Sequence, residues 1–305
     1  MNSFLSFFVT GISLGSIYAL IALGYTMVYG IAKMLNFAHG DIIMIGGYVV
    51  LTVMTGLSST LPGTGMNPAT ATAVSVIAAV AAGIIACVIL GVTIEKVAYK
   101  PLRNTSPLTV LITAIGVSYL LQNAALLIFG SAAKSFKSVV PKFNVTALKI
   151  SGETIVTVAV TVVIMILLTL FVNKTKSGKA MRAVSEDRGA AQLMGINVNK
   201  TISITFAIGS GLAAVASILL CSMYPQISPY TGAMPGIKAF TAAVFGGIGS
   251  IPGAMIGGVV LGVIESLSKA YISSQMSDAI VFAVLIVVLL VKPTGLLGKK
   301  INEKV

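Results

Sequence analysis

Charge is what this chain has least of. Asp, Glu, Lys and Arg make up 9% of its 305 residues, while 56% are hydrophobic; ordinary soluble domains carry about 25% charged residues. That balance excludes a soluble globular domain and points to a membrane protein. There is one His, His39, and there are two Cys, Cys87 and Cys221, each alone in an apolar run. Zinc sites need clustered His and Cys ligands and disulfide frameworks need spaced sets of Cys, so no metal is expected and both Cys read as packing residues. A lone His offers no Ser/His/Asp set for hydrolysis. No G-x-x-x-x-G-K-[ST] stretch occurs, so the chain lacks the loop that cradles nucleotide phosphates, and no cofactor is expected. Apolar and polar residues do not alternate at strand period, which argues against an outer-membrane barrel.

What the chain does have is long apolar runs. A membrane-crossing helix needs about 20 apolar residues, and the runs at 4–30, 41–57, 70–94, 108–130, 154–173, 201–223, 253–271 and 278–291 meet or approach that length. A shorter run at 237–249, "KAFTAAVFGGIGS", is rich in Gly and reads as a re-entrant or broken helix buried in protein. The expected fold class is an all-α polytopic membrane protein of about eight or nine transmembrane helices, in a single transmembrane domain over residues 1–305. The first run has no positive residue before Lys33, unlike a secretory signal. It is expected as a retained span, with cleavage near "ALIA" as the alternative.

Basic residues set the orientation, because Lys and Arg accumulate on the cytoplasmic side. The net charge of +12 is distributed between apolar runs, not along a stripe, so nucleic acid is not an expected partner. Lys96, Lys100 and Arg103 follow the third run, six basic residues lie from Lys174 to Lys200, and Lys292, Lys299, Lys300 and Lys304 end the chain. All three groups are assigned to the cytoplasm, which puts the N-terminus outside and the C-terminus inside and requires 237–249 to cross. The loop at about 131–153 is then external, although it carries Lys134, Lys137, Lys142 and Lys149.

Between the first two runs stands "NFAHGDIIMIGG", residues 36–47. Asp41 sits where a helix starts, where a carboxylate complements free amides and the helix dipole. Asn36 and His39 either belong to a capped helix hairpin or face a translocation path, since polar groups at membrane depth usually face protein or water. "MIGG" recurs, at 44–47 and 255–258. Gly46, Gly47, Gly246, Gly247, Gly257 and Gly258 are therefore candidates for close helix packing or a path lining, and the repeat raises, without deciding, an internal duplication.

The stretch at about 174–200 is the longest expected cytoplasmic segment. From Lys179 to Leu193 it carries helix formers, with Glu186 and Asp187 among Arg182 and Arg188. Ala180, Ala183, Val184, Ala191 and Met194 make a weakly apolar stripe. Two readings stand: an amphipathic interfacial connector, or a short helix that docks into a groove of a cytoplasmic partner.

"GSIYALIALGYTMVYG", "NFAHGDIIMIGGY", "RAVSEDRGAAQLMGIN" and "PGIKAFTAAVFGGIGSIPGAMIGG" occur in that order over nearly the whole chain. Together they resemble the branched-chain amino acid permease subunits of ATP-binding cassette importers, in particular the shorter, first type of the usual pair. The resemblance implies a multi-pass subunit of the bacterial inner membrane with no ATPase site of its own. It implies as partners a second permease subunit, two cytoplasmic ATP-binding subunits and an external solute-binding protein. It also implies that Arg182–Asn197 couples ATPase to path, with Arg182, Glu186, Asp187 and Gly195 on the motif positions. Leucine, isoleucine and valine are the implied solutes; urea, a short amide or another small solute suits an apolar path equally. An ion-coupled secondary transporter needs buried acids along its path, and Glu265 alone lies well inside a span, four residues before Lys269. A non-transporting membrane scaffold is the remaining alternative.

Overall fold

The computed structural model describes residues 3–60, 67–140, 144–145 and 150–298. Of the basic residues used for orientation, Lys142, Lys149, Lys299, Lys300 and Lys304 lie outside them. Among the described residues the chain forms eleven α-helices and four two-residue strands. Seven helical stretches are long and apolar enough to cross a membrane: Ser3–Ala32, His39–Thr60, Pro68–Leu102, Pro107–Phe129, Gly152–Lys174, Val198–Met223 and Ile251–Tyr271. Ser277–Val291 is a shorter apolar helix.

The helix starts are written in the sequence. Asn67 caps Pro68–Ile94, Ser106 caps Pro107–Phe129, Ser151 caps Gly152–Lys174 and Ser250 caps Ile251–Tyr271, each side chain accepting from a backbone amide of the first turn. Such caps satisfy amides that no earlier carbonyl can reach, and Pro stands at a first-turn position in three of these helices.

The residues fall into two compact units, one of 1–36, 142–205 and 235–305, the other of 37–141 and 206–234. In the first, helix α1 (Ser3–Ala32) is buried almost continuously from Ser13 to Val28. It packs against α10 (Ile251–Tyr271), α5 (Gly152–Lys174) and α6 (Lys176–Glu186). The α1–α10 contact is backbone on backbone. A Cβ on Gly15 would lie 2.7 Å from Val259 Cα, and one on Gly258 or Gly262 would run into the backbone of Ala19 or Gly15. Apolar side chains gain little by leaving lipid for each other, so helices in a bilayer associate through such close approaches and through interhelical hydrogen bonds. Both occur here: Ser266 Oγ donates to Phe7 O (2.7 Å) and Thr161 Oγ1 to Ser16 O (3.2 Å).

Helix α9 (Ala233–Gly246) has 14 residues, about 21 Å of helix at 1.5 Å per residue against a hydrocarbon core of about 30 Å. It is too short for a straight span, as its Gly-rich sequence indicated. Gly247 (φ +102°) and Gly249 (φ +93°) turn the chain into α10. Past α11 (Ser277–Val291), the amides of Leu296 and Leu297 donate to the carbonyls of Phe245 and Gly246 (2.9 Å each), closing the open end of α9.

The second unit holds α2 (His39–Thr60), α3 (Pro68–Ile94), α4 (Pro107–Phe129) and the larger part of α8 (Val198–Met223). Tyr48 stacks on Phe129 at 4.0 Å beside Met44, Phe136 and Ile227. Strand β1 (Lys134–Ser135) pairs antiparallel with β4 (Gln226–Ile227), so the Lys-rich loop begins with a paired strand, with Lys134 and Lys137 exposed. In the first unit β2 (Asn144–Val145) pairs with β3 (Ile150–Ser151). The helix does not stop where the third apolar run ends at 94: α3 continues through a π turn at Glu95–Tyr99 and a 3-10 turn at Lys100–Leu102. Burial of Glu95 explains this, since its carboxylate pairs with Arg103 eight residues on and brings the chain around it.

Replacing Gly258 or Gly262 with Leu forces α1 and α10 apart and is expected to cost more than the roughly 1–3 kcal/mol of an overpacked core, because backbone cannot move aside as a side chain does. Val287→Leu, at an exposed apolar position of α11, is expected to be neutral. Thermal unfolding in detergent reads the difference; equal midpoints for the three variants refute the contact.

Candidate coupling segment and helix-end pocket

The segment expected as one helix is two. Thr175 caps α6, accepting from Gly178 N at 3.0 Å. After Glu186 the backbone is extended at Asp187 (φ −153°, ψ 117°), whose Oδ1 accepts from Ala190 N (3.0 Å) and starts α7 (Arg188–Leu193). Asp is a good N-cap because its short carboxylate folds back onto amides of the next turn, so the tandem acid that looks like a charged helix face is a helix boundary. At the other end Gly195 is left-handed (φ +79°), and Ile196 N donates to Ala191 O at 3.0 Å, a glycine-dependent helix stop.

The break resets the phase of the apolar stripe. Met181, Val184 and Ala191 are buried, but Met194 is not. Leu193 and Met194 are 90% and 82% exposed, at the tip of α7. Glu186, Asp187 and Gly195 are exposed with them; Arg182 is also exposed and donates to Asn173 O at 3.4 Å. The structure thus brings Glu186, Asp187 and Gly195 together on one short projection and adds two apolar side chains. Arg188 turns inward instead, its guanidinium donating to the carbonyl of Ala32, the last residue of α1.

Beyond Ala32 the chain turns at Lys33 (φ +53°). Met34, Leu35 and Asn36 then line a small open pocket of about 10 Å³ with Tyr25, Tyr29, Phe240, Ala243 and Ile248. The lining is aromatic and aliphatic, with Tyr25 edge-on to Phe240 at 5.7 Å. Asn36, 2% exposed, is its buried amide.

The other candidates lie against neighbouring helices and turns. His39 and Asp41 are buried in the first turn of α2, and Asp41 Oδ1 accepts from Gln122 Nε2 of α4 at 2.9 Å, so the carboxylate joins two helices. A Cβ on Gly46 would meet Cys87 Sγ at 2.8 Å and one on Gly47 would meet Ser217 Oγ at 2.9 Å. Gly246 lies against Gly253, Gly257 against Ala242 and Gly258 against Ala19, while Gly247 faces Gly298. The glycines at 246–258 thus meet neighbours from their own chain.

Sequence reasoning missed a buried ionic cluster. The pair of Glu265 and Lys269 forms (2.5 Å), and Lys238 of α9 reaches the same Oε1 at 2.8 Å while also contacting Asp278 Oδ1 at 2.6 Å. Tyr18 OH donates to Glu265 Oε2 at 2.9 Å. Lys238 is 6% exposed and Glu265 1%. Its signal was a lone Lys inside a Gly-rich apolar run, where a charge survives only if paired.

Residues 7–289 match the family described as branched-chain amino acid transport system / permease component. The chain belongs to that family. It is similar to the high-affinity branched-chain amino acid transport system permease protein LivH of Escherichia coli K12, 46% identical over 99% of this chain and 98% of that protein. It is also similar to the corresponding permease protein BraD of Pseudomonas aeruginosa, 46% identical over 97% and 96%. A more distant relative is the autoinducer 2 import system permease protein LsrD of Escherichia coli O9:H4, 28% identical over 63% of this chain and 62% of that protein. No solved structure matches the chain. Family membership and the apolar helices make it a multi-pass inner-membrane permease.

Removing a carboxylate that binds two lysines leaves buried charge uncompensated, which costs about 3–5 kcal/mol in known cases. Glu265→Leu is therefore expected to lower the unfolding midpoint in detergent more than Lys269→Met, whose side chain is 40% exposed. Equal midpoints would show that Lys238 and Lys269 find other partners.

Proposed function

We propose that the chain is a transmembrane subunit of an ATP-binding cassette importer that passes branched-chain amino acids across the inner membrane, energised by separate ATPases. The full-length similarity to LivH and BraD supports the solute class, and the sequence has no phosphate-binding loop for hydrolysing ATP itself. A second permease subunit, two cytoplasmic ATP-binding subunits and an external solute-binding protein complete the importer in this reading.

The observation that carries it is the projection at α6–α7. Leu193 and Met194 stand exposed beside Glu186 and Asp187 in a segment rich in Lys and Arg. Exposed apolar side chains flanked by charge are the features of a helix that anchors in a partner's groove, and two outward acids favour a protein over an anionic lipid surface. Its placement supports a cytoplasmic assignment. Arg188 meets the end of α1, Gly30 meets Gly249, and residues 295–298 meet the α9–α10 turn, so the segment and the C-terminal residues share one end of the unit. Residues 174–200 carry excess Lys and Arg, which belong inside.

Glu186 and Asp187 differ in role on this account. Asp187 holds α7 in place as its cap, and Glu186 meets the partner. Asp187→Asn keeps the cap and removes the charge, whereas Asp187→Ala loses about 0.5–2 kcal/mol of local helix stability. Amide hydrogen exchange across 188–194 is expected to rise in Asp187→Ala alone.

The test is reconstitution of the chain with its partner subunits in vesicles. ATP-dependent uptake of leucine, lost when Leu193 and Met194 are both changed to Asp together with the ATPase subunits in a pull-down, is the expected result. Retention of the ATPase subunits and of uptake by that double variant overturns the docking reading. Leucine uptake that ignores ATP and follows an ion gradient overturns the importer class.

A further inference from the structure

Two sets of residues stand at one end of the first unit, with the side chain of Arg188 between them. Leu193, Met194, Glu186 and Asp187 point out from the α6–α7 projection, and Met34, Leu35 and Asn36 line the pocket beyond the end of α1. Between them lies Arg188, the first residue of α7, half-buried, with its guanidinium on the carbonyl of Ala32.

We propose that Arg188 is the positioning residue through which the coupling segment moves the end of α1, and with it the residues that wall the helix-end pocket. The inference rests on the docking reading of α6–α7. Ala32 is fully buried and ends its helix, so its carbonyl is one of the last four that the helix cannot pair. The carbonyl end of a helix dipole attracts a cation. A guanidinium is planar and permanently charged, and its charge-assisted bond is shorter and stronger than a neutral one. The chain beyond Ala32 has little freedom: Lys33 is left-handed and the next three residues lie directly on the pocket. A displacement of the α1 terminus therefore becomes a displacement of the pocket wall.

The segment also touches α1 along its side, through α6, and Arg188 is the bond it makes to the end of that helix. Met181 and Val184 bury α6 against α1 and α5, which seats α6. Helix α7 carries the exposed anchors, and Ala191 is its one buried residue. Arg188 is thus the polar tie between the part of the segment that would meet an ATPase and the part of the unit that contains the pocket. Because it turns away from the exposed face, its loss is expected to spare ATPase binding.

The complete importer in vesicles tests this with Arg188→Ala, Arg188→Lys and Arg188→Gln, each also made with Leu35→Cys as a thiol reporter at the pocket; Cys87 and Cys221 are buried. In the unmutated background, maleimide labelling of the reporter is expected to change between the nucleotide-free and the ATP- and vanadate-trapped states. Arg188→Ala is expected to keep its ATPase subunits, to lose that change, and to move roughly tenfold less solute per ATP hydrolysed, a coupling effect of ordinary size. Arg188→Lys, which keeps the charge, recovers part of both. If Arg188→Ala does not assemble, Arg188→Gln is read the same way. An unchanged solute-to-ATP ratio with an unchanged labelling response overturns the proposal while leaving the docking reading standing. Retained ATPase binding by the Leu193→Asp, Met194→Asp double variant overturns the docking reading and this inference together.

Discussion

The contact between α1 and α10 is the constraint on which the first unit depends. Two apolar helices in lipid have no hydrophobic reason to leave it for each other, so their association rests on how near their backbones come. Gly15, Gly258 and Gly262 remove the side chains that would keep the two axes apart. The seams on either side depend on that approach. Ser266 and Thr161 find carbonyls of α1, and Tyr18 is brought onto Glu265. With α10 fixed on α1, the glycine turn at 247–249 sets where α9 begins its return and where Lys238 stands.

Much of this was legible in the sequence because a bilayer imposes length and composition directly. The runs at 4–30, 154–173 and 253–271 differ from α1, α5 and α10 by two residues or fewer at each end, since capping residues and basic clusters mark where a span stops. Local competition was harder to read. Glu186 and Asp187 look equivalent as neighbouring acids, and only backbone geometry shows that one ends a helix and the other begins the next. The π turn at 95–99 was hidden for a related reason: charged residues after an apolar run suggest a loop, unless one of the charges is paired and buried.

Long-range pairing was the least legible. Lys269 comes one helical turn after Glu265 and could be matched to it on spacing alone. Lys238 and Tyr18 lie 27 and 247 residues from the same carboxylate, and no periodicity connects them. The pocket is hidden in the same way, because Tyr25, Met34 and Phe240 come from segments that only the folded unit assembles.

The order in which the chain is made bears on α9. Its last two carbonyls, of Phe245 and Gly246, are met by the amides of Leu296 and Leu297, some fifty residues later in translation. Until those residues leave the ribosome, a helix too short to cross the bilayer has an open polar end, which hydrocarbon does not tolerate. Insertion of α9 is therefore not finished when its own sequence has been delivered. The two carbonyls gain these partners only after α10 and α11 have been made.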